Sequence, residues 1–397
     1  MEYTTPTFDV NLDPTGFVVD LDGLYASLAQ LHDKRHARGV RYALVTALIY
    51  IVLAKLAGED RVYGIADWVK YRQKALAEAL HLVKVRAPSA NTLSRILGTG
   101  MNVEEFEQVV HDFFAAKPEA GTSVVIVLDG KTLRGTIRAG HSRGRHLLAA
   151  YMPAEGWVVM QVEVEGKENE ITAAPRVLQC LDLRDKVVTG DAMLAQRELS
   201  VQIVEAGGDY VWTVKGNQSR LQQDIAVLFE PERTTKGFGQ GSYDFRSAST
   251  NEKGHGRLER RSITVSQELQ GYLDWPYARQ VFRLERHFTR LADGKVNHEV
   301  VYGVTSLSAQ QADAPRLLQL ARSHWGIENG LHYRRDETLR EDWCHLRIGD
   351  APRAMAIINN LVLGLLLRQG HTNIPRARRY YDAHPVDALR LVLFSTA

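Results

Sequence analysis

Two apolar, β-branched runs in this chain end on an aspartate: VVIVLD at Asp129 and KVVTGD at Asp191. In an α/β sheet, functional groups gather where strands end. Two carboxylates brought side by side at such an edge suit magnesium, which takes oxygen ligands and commonly binds through one or two carboxylates plus phosphate oxygens. A pair of such ions can activate water and stabilise the leaving oxygen of a phosphodiester. The local alternative is plainer: Asp129-Gly130 as a turn and Asp191 as the cap of a helix near residue 193, since Asp favours both positions. On these two acids alone the local alternative is the stronger.

A third acid tips the balance. LARSHWGIENGLHYRRDETLREDW reads as one helix carrying Glu328. At 100° per residue, His324, Glu328, His332 and Arg335 fall within about 80° of one another and share a stripe. Trp325 and Ile327 flank the glutamate, so one side of this helix is expected to be packed. Asp336, Glu341 and Asp342, read on the same helix, are rival acids.

Cations stand near these positions. Residues 131–154 contain Lys131, Arg134, Arg138, Arg143 and Arg145 and no acid. A basic, glycine-containing loop beside a metal pair is placed to hold phosphates, whose neutralisation dominates nucleic-acid affinity. Lys215, Asn217 and Gln218 follow the strand-like YVWTV and should project at a sheet edge, towards a DNA backbone or a flipped base. Arg322, His324 and Arg335 on the third helix complete the expected DNA contacts. Arg257, Arg260 and Glu259 read as surface ion pairs, while KRHARGVR and PSANTLSR nearer the start are weaker DNA candidates. His141 and His146 lack zinc-site spacing, and His332, four after Glu328, is an isolated pair, so no structural metal is assigned.

The elements that must position these residues change character along the chain. Residues 1–22 are acidic and lack Lys and Arg. Residues 23–118 are helical in pattern: SLAQLHDKRHARGVRYALVTALIYIVLAKLAG ending at Gly58, then ADWVKYRQKALAEALHLV, a helix opened by Pro88 and Ser89, and NVEEFEQVVHDFFAAK. From about 119 the chain alternates strands and helices, which describes a mixed α/β sheet. Between about 233 and 305 the period becomes two, and RLERRSITV, ARQVFRLERHF and VNHEVVYGVTSL read as inserted strands. Helix returns to 369, and residues 370–397 form a tail with one further helix.

Bulk properties set limits. The chain has 397 residues and a net charge of +2, so a nucleic-acid surface would have to be local. Cys180 and Cys344 form no CxxC, which fits a reducing compartment. The start lacks the basic-then-apolar order of a secretion signal, and the apolar stretch 43–54 is too short to span a bilayer. A cytoplasmic protein that does not enter the membrane is expected.

The motifs resemble those of a known family. LDGKTLRG (128–135), KENEITAAPRVL (167–178), VVTGDAMLAQ (187–196), GGDYVWTVKGNQ (207–218), HGRLERR (255–261) and RSHWGIENGLH (322–332), followed by Glu341-Asp342, run in the order found in bacterial insertion-sequence transposases of the DDE type, in the ISAs group related to the IS-four assemblage. The resemblance covers about residues 20–370. It implies a ribonuclease-H-like catalytic domain with a strand-rich insertion, preceded by an all-α domain associated with transposases. It also implies that Asp129, Asp191 and Glu328 hold Mg²⁺, with Mn²⁺ able to substitute. Expected partners are the element's terminal inverted repeats and target DNA, with a homodimer in the synaptic complex.

This sequence departs from the broader group around the third acid. There the glutamate is accompanied by Tyr, Arg and Lys at fixed helical offsets. Here Ala321 and His324 stand seven and four residues before Glu328, and Arg335 occupies the Lys position. Close relatives usually read Trp-x-Leu-Asp-Val after Leu-His, where this chain has Tyr-Arg-Arg-Asp-Glu. Two alternatives use the same residues: a DNA-binding protein whose catalytic site has decayed, and a metal-dependent nuclease without strand transfer.

Overall fold

Alternating apolar residues bounded by turns build one mixed sheet. In the computed structural model, which describes residues 23–82, 85–115, 125–165, 168–230, 244–254 and 256–394, its strands are β1 (Val125–Leu133), β2 (Arg145–Met152), β3 (Trp157–Val164), β4 (Val187–Gly190), β5 (Asp209–Val214), β6 (Arg246–Gly254), β7 (Arg257–Ser266), β8 (Gln280–Arg290) and β9 (Val296–Thr305). Their order across the sheet is β3-β2-β1-β4-β5-β9-β8-β7-β6. The first three are antiparallel, β4 and β5 run parallel to β1, and β9 returns antiparallel against β5. The inserted strands therefore extend the main sheet.

The sequence pattern had shown three inserted strands, and the structure adds β6. Its residues, RSASTNEKG, have no buried apolar face. They form the outer edge, where polar and charged side chains discourage pairing with another chain.

The helices are α1 (Leu24–Ala29), α2 (Leu44–Leu56), α3 (Val62–Ala79), α4 (Ala90–Thr99), α5 (Val103–Ala115), α6 (Glu170–Gln179), α7 (Arg197–Glu205), α8 (Ser219–Phe229), α9 (Ala314–Ile327), α10 (Ala351–Arg368), α11 (Ile374–Ala383) and α12 (Pro385–Leu393). The first long helical pattern is broken after α1. There the Asp33 carboxylate accepts from the Arg35 backbone N–H at 3.0 Å and Arg35 donates to the Tyr42 carbonyl at 2.8 Å, local bonds that compete with a helix ladder.

The end of the chain is not a tail with one helix. Both α11 and α12 dock on α2, and the almost wholly buried α10 packs on α4, α5 and β3, so the first and last helices share a core. A Cβ at Gly364 would strike the Phe114 ring, so glycine is what lets α10 approach α5 so closely. A second core cluster joins Ile263, Val265, Phe282 and Leu284 of the inserted strands to Leu317, Leu320 and Ala321 of α9. Among the described residues no helix is long and apolar enough to cross a membrane. The acidic segment 1–22 and the start of the insertion, 233–243, lie outside the described residues.

Candidate active site

Register brings the two aspartates together. Parallel pairing of β1 with β4 runs from Val125↔Val187 to Leu128↔Gly190, and the next residue on each strand is Asp129 and Asp191. Neighbouring strands lie about 4.8 Å apart, so the two acids leave one edge side by side. The turn reading of Asp129-Gly130 fails, because β1 continues to Leu133 in antiparallel pairing with β2. The capping reading of Asp191 holds. Its Oδ1 accepts from the backbone N–H groups of Met193 at 3.0 Å and Leu194 at 3.2 Å, which leaves Oδ2 for another ligand.

The third segment approaches as α9. Asp313 caps it through the Arg316 N–H at 2.9 Å, and Pro315 stands in its first turn. The chain does not remain α-helical through residue 343. It passes into two π-turns, Glu328–His332 and Arg334–Thr338, and breaks at Arg340, whose φ is +50°. Because i→i+5 bonding advances less rotation per residue, the expected stripe splits. Glu328 is exposed, and among the described residues no ion-pair partner lies against it. His332 turns in and bonds Asp129 Oδ2 at 2.7 Å. Arg335 turns into the core, where it pairs with Glu341 at 2.8 Å, and Asn359 donates to the same carboxylate at 2.8 Å.

The rival acids have other partners. Asp336 lies 2.5 Å from Lys131, Glu341 belongs to Arg335, and Asp342 is within 4.0 Å of Lys131 and 3.7 Å of Arg134. Ile327 is buried, as expected from its place beside the glutamate, while the side chain of Trp325 lies outside the described residues.

His324 reports on the electrostatics. Burial pushes its imidazole below the ordinary range, against the opposing pull of Asp129, Asp191 and Glu328, while Lys215 adds to the lowering. The three acids therefore share one neighbourhood around a half-buried histidine whose Nδ1 has no hydrogen-bond partner among the described residues. Their oxygens do not all lie within 4.8 Å of one another. Like charges repel, and two of the acids are tethered elsewhere: Asp129 to His332, Asp191 to its cap amides.

Several expected DNA contacts are engaged within the protein. Lys131 is 9% exposed and salt-bridged to Asp336, and Arg335 is fully buried, so neither offers a free charge to solvent. Arg322 donates 2.7 Å to Glu252 on β6, tying α9 to the insertion. Asn217 and Gln218 reach the Ala192 carbonyl at 2.6 Å and the Ala195 carbonyl at 3.0 Å, so they clamp the turn that follows Asp191. Arg145 pairs with Glu163 at 2.8 Å. Lys215, Arg138 and Arg143 remain exposed, as does Arg134 beside Asp342.

Sequence reasoning missed a relay next to Asp129. Thr132 Oγ1 lies 2.8 Å from His146 Nδ1, and His146 Nε2 lies 2.8 Å from Glu170 Oε1. Gly130 makes room for it, since a Cβ there would collide with both Glu170 and His146. The available signal was Glu170 itself, directly after the helix-capping Asn169 in the quoted motif.

Two family models match the chain. Residues 120–365 match the one described as a transposase DDE domain, and residues 25–114 match one described as associated with that domain. Among curated proteins, "Putative transposase YncI" of Escherichia coli O157:H7 is 29% identical over 352 residues, covering 88% of each chain. "Putative protein YbfL" of Escherichia coli strain K12 is 28% identical over 353 residues, 88% of this chain and 91% of that protein. "Uncharacterized protein in dhlA 3'region" of Xanthobacter autotrophicus is 34% identical over 283 residues, 70% of this chain and 92% of that protein. A cryo-EM structure of a piggyBac transposase synaptic complex with hairpin DNA aligns with a TM-score of 0.44 at 10% identity, covering 92% of this chain and 78% of that chain.

Proposed function

This chain belongs to the DDE transposase family of bacterial insertion sequences, and we propose that it cuts the ends of its element and joins them to target DNA by two-metal-ion phosphodiester chemistry. The observation that carries this reading is the β1–β4 register, which makes Asp129 and Asp191 neighbours, together with the field of both and of Glu328 at His324. The strand order β3-β2-β1-β4-β5, three antiparallel then two parallel, supports a ribonuclease-H-like core to which β6–β9 are added. The helices of residues 23–118 form the associated amino-terminal domain.

The donor set fits magnesium. Three carboxylates are hard oxygen ligands, Asp191 keeps Oδ2 beyond its cap bonds, and Asp129 keeps Oδ1 beyond the bond to His332. Asp129, Asp191 and Glu328 would hold Mg²⁺, or Mn²⁺ in its place. When bound, such ions generate hydroxide from water and stabilise the leaving oxygen. His332 orients the Asp129 carboxylate, and Asn217 and Gln218 fix the backbone beside Asp191. His324, whose imidazole burial pushes below the ordinary range, stands at the edge where the scissile phosphate would lie. Arg134, Arg138, Arg143 and Lys215 supply the phosphate contacts. Two element ends brought together call for a homodimer in the synaptic complex.

Incubation with end-sequence DNA and Mg²⁺ tests the reading. Wild-type protein should cleave and transfer strands, while Asp191→Asn should bind the DNA and do neither. Cleavage without transfer would identify a nuclease, binding without cleavage a decayed enzyme, and undiminished cleavage by Asp191→Asn would remove the acids from the mechanism.

A further inference from the structure

Far from these acids, on the inserted strands, a second set of donors converges. We propose that Glu285, His287 and His298 form a binding site for a transition-metal dication of the zinc class. Glu285 and His287 are two apart on β8 and so share a face. The register places His298 of β9 directly opposite His287. The two imidazoles stack, with centroids 4.1 Å apart and planes 11° from parallel. Both Nε2 atoms lie 3.6 Å from Glu285 Oε2. One ligand atom from each of the three residues falls within 4.8 Å of the others, the one such trio among the described residues.

The distances suit an ion in the middle. Two ligands each about 2.0–2.1 Å from a tetrahedral Zn²⁺ are separated by about 3.3–3.4 Å. The observed 3.6 Å therefore needs only a small contraction. Arg283 holds the other carboxylate oxygen, Oε1, at 2.5 Å and so points Oε2 at the imidazoles. That second contact gives the site an oriented acid as well as paired histidines.

The chemistry separates this site from the carboxylate edge. Imidazole favours Zn²⁺, Ni²⁺ and Cu²⁺, whereas carboxylates alone favour Mg²⁺ and Mn²⁺. His287 and His298 are 43% and 46% exposed, so an ion reaches them directly and keeps solvent on its open side. Arg260, in register with His287 on β7, sets an opposing charge nearby. Bound metal bridges β8 and β9 beyond the point where Arg283 ties β8 to α8 through the Phe229 carbonyl, and stiffens the outer end of the hairpin.

Titration calorimetry of the full chain without a histidine tag, with Zn²⁺ in excess Mg²⁺, tests the proposal. The expected result is one Zn²⁺ per chain that Mg²⁺ does not displace. His298→Gln and His287→Gln should each weaken binding at least about tenfold, with unchanged far-UV circular dichroism, whereas Asp191→Asn should bind zinc normally. Co²⁺ should develop visible absorption bands in the wild type that both histidine variants lose. No zinc binding by folded wild-type protein at micromolar concentrations would overturn the assignment. So would binding that survives both histidine substitutions, or that disappears in Asp191→Asn.

Discussion

His332 is the side chain whose replacement most directly tests how the acid edge is held. Its Nε2–H donates to Asp129 Oδ2 at 2.7 Å, with side chains 9% and 19% exposed, so solvent screens the contact little. A hydrogen bond to a charged group is worth about 1.5–3 kcal/mol, and about 1.4 kcal/mol is tenfold in rate. If that bond orients the carboxylate for an ion, His332→Ala should slow cleavage roughly 10- to 100-fold, the range seen when a metal ligand loses its supporting partner. The loss should appear mainly as a higher Mg²⁺ requirement. His332→Gln, which keeps a hydrogen-bonding group of nearly the same reach, should recover part of it.

The assay is cleavage of labelled end DNA across a Mg²⁺ titration, beside DNA binding by fluorescence anisotropy. Binding should stay at the wild-type level, because His332 is 7% exposed and offers nothing to a phosphate. A lower Mg²⁺ requirement in His332→Ala would refute the reasoning, since it would mean that the histidine competes with the cation for Asp129. Equal losses of binding and cleavage would refute it as well, by making the residue part of the general fold.

Two further outcomes follow from contacts inside the protein. Replacing both Asn217 and Gln218 by Ala frees the turn after Asp191 from two side-chain clamps. It should lower cleavage several-fold while DNA affinity stays constant, and a parallel drop in affinity would show that the amides contact DNA. Glu107 is buried, its Oε2 lacks a hydrogen-bond partner among the described residues, and burial pushes its pKa up to about 8 against the pull of Arg353. A carboxyl whose folded pKa lies above the unfolded value near 4.5 leaves stability intact below that value and erodes it as pH rises towards about 8. The unfolding free energy of the wild type, measured by chemical denaturation, should fall between these limits by an amount on the order of a few kcal/mol, and Glu107→Gln should flatten the profile. An equally steep profile in the variant would assign the pH dependence to other groups.

Strand runs and their terminal acids were legible because apolar alternation and β-branching are local signals. VVIVLD and KVVTGD show where β4 ends and where the pairing of β1 with β4 ends. Sequence alone did not show that β1 continues beyond Asp129, because GKTL lacks apolar alternation and is held by pairing with β2. Counting at 100° per residue applies only as far as Ile327, where α9 ends. It failed for Arg335, since nothing in ENGLHYRRDET announces a π-turn. Lys131 looked like a phosphate ligand because its countercharge, Asp336, is 205 residues away along the chain. Partners that distant are set by tertiary packing.

The position of the third acid is decided by the insertion as much as by its own helix. Leu317, Leu320 and Ala321 bury one side of α9 against Ile263, Val265, Phe282 and Leu284 of the added strands. Ala321 is core, and a larger residue there would press on that contact. Glu252 on the edge strand β6 accepts from Arg322 and also lies 3.3 Å from Arg261, so the outermost strand is anchored to the helix about one and two-thirds turns before Glu328. Asp129 and Asp191, in contrast, are fixed by the register of two central strands. The same helix also packs on β1, β4 and β5, so the segment that leads to Glu328 rests both on the added strands and on the central strands that fix the aspartates.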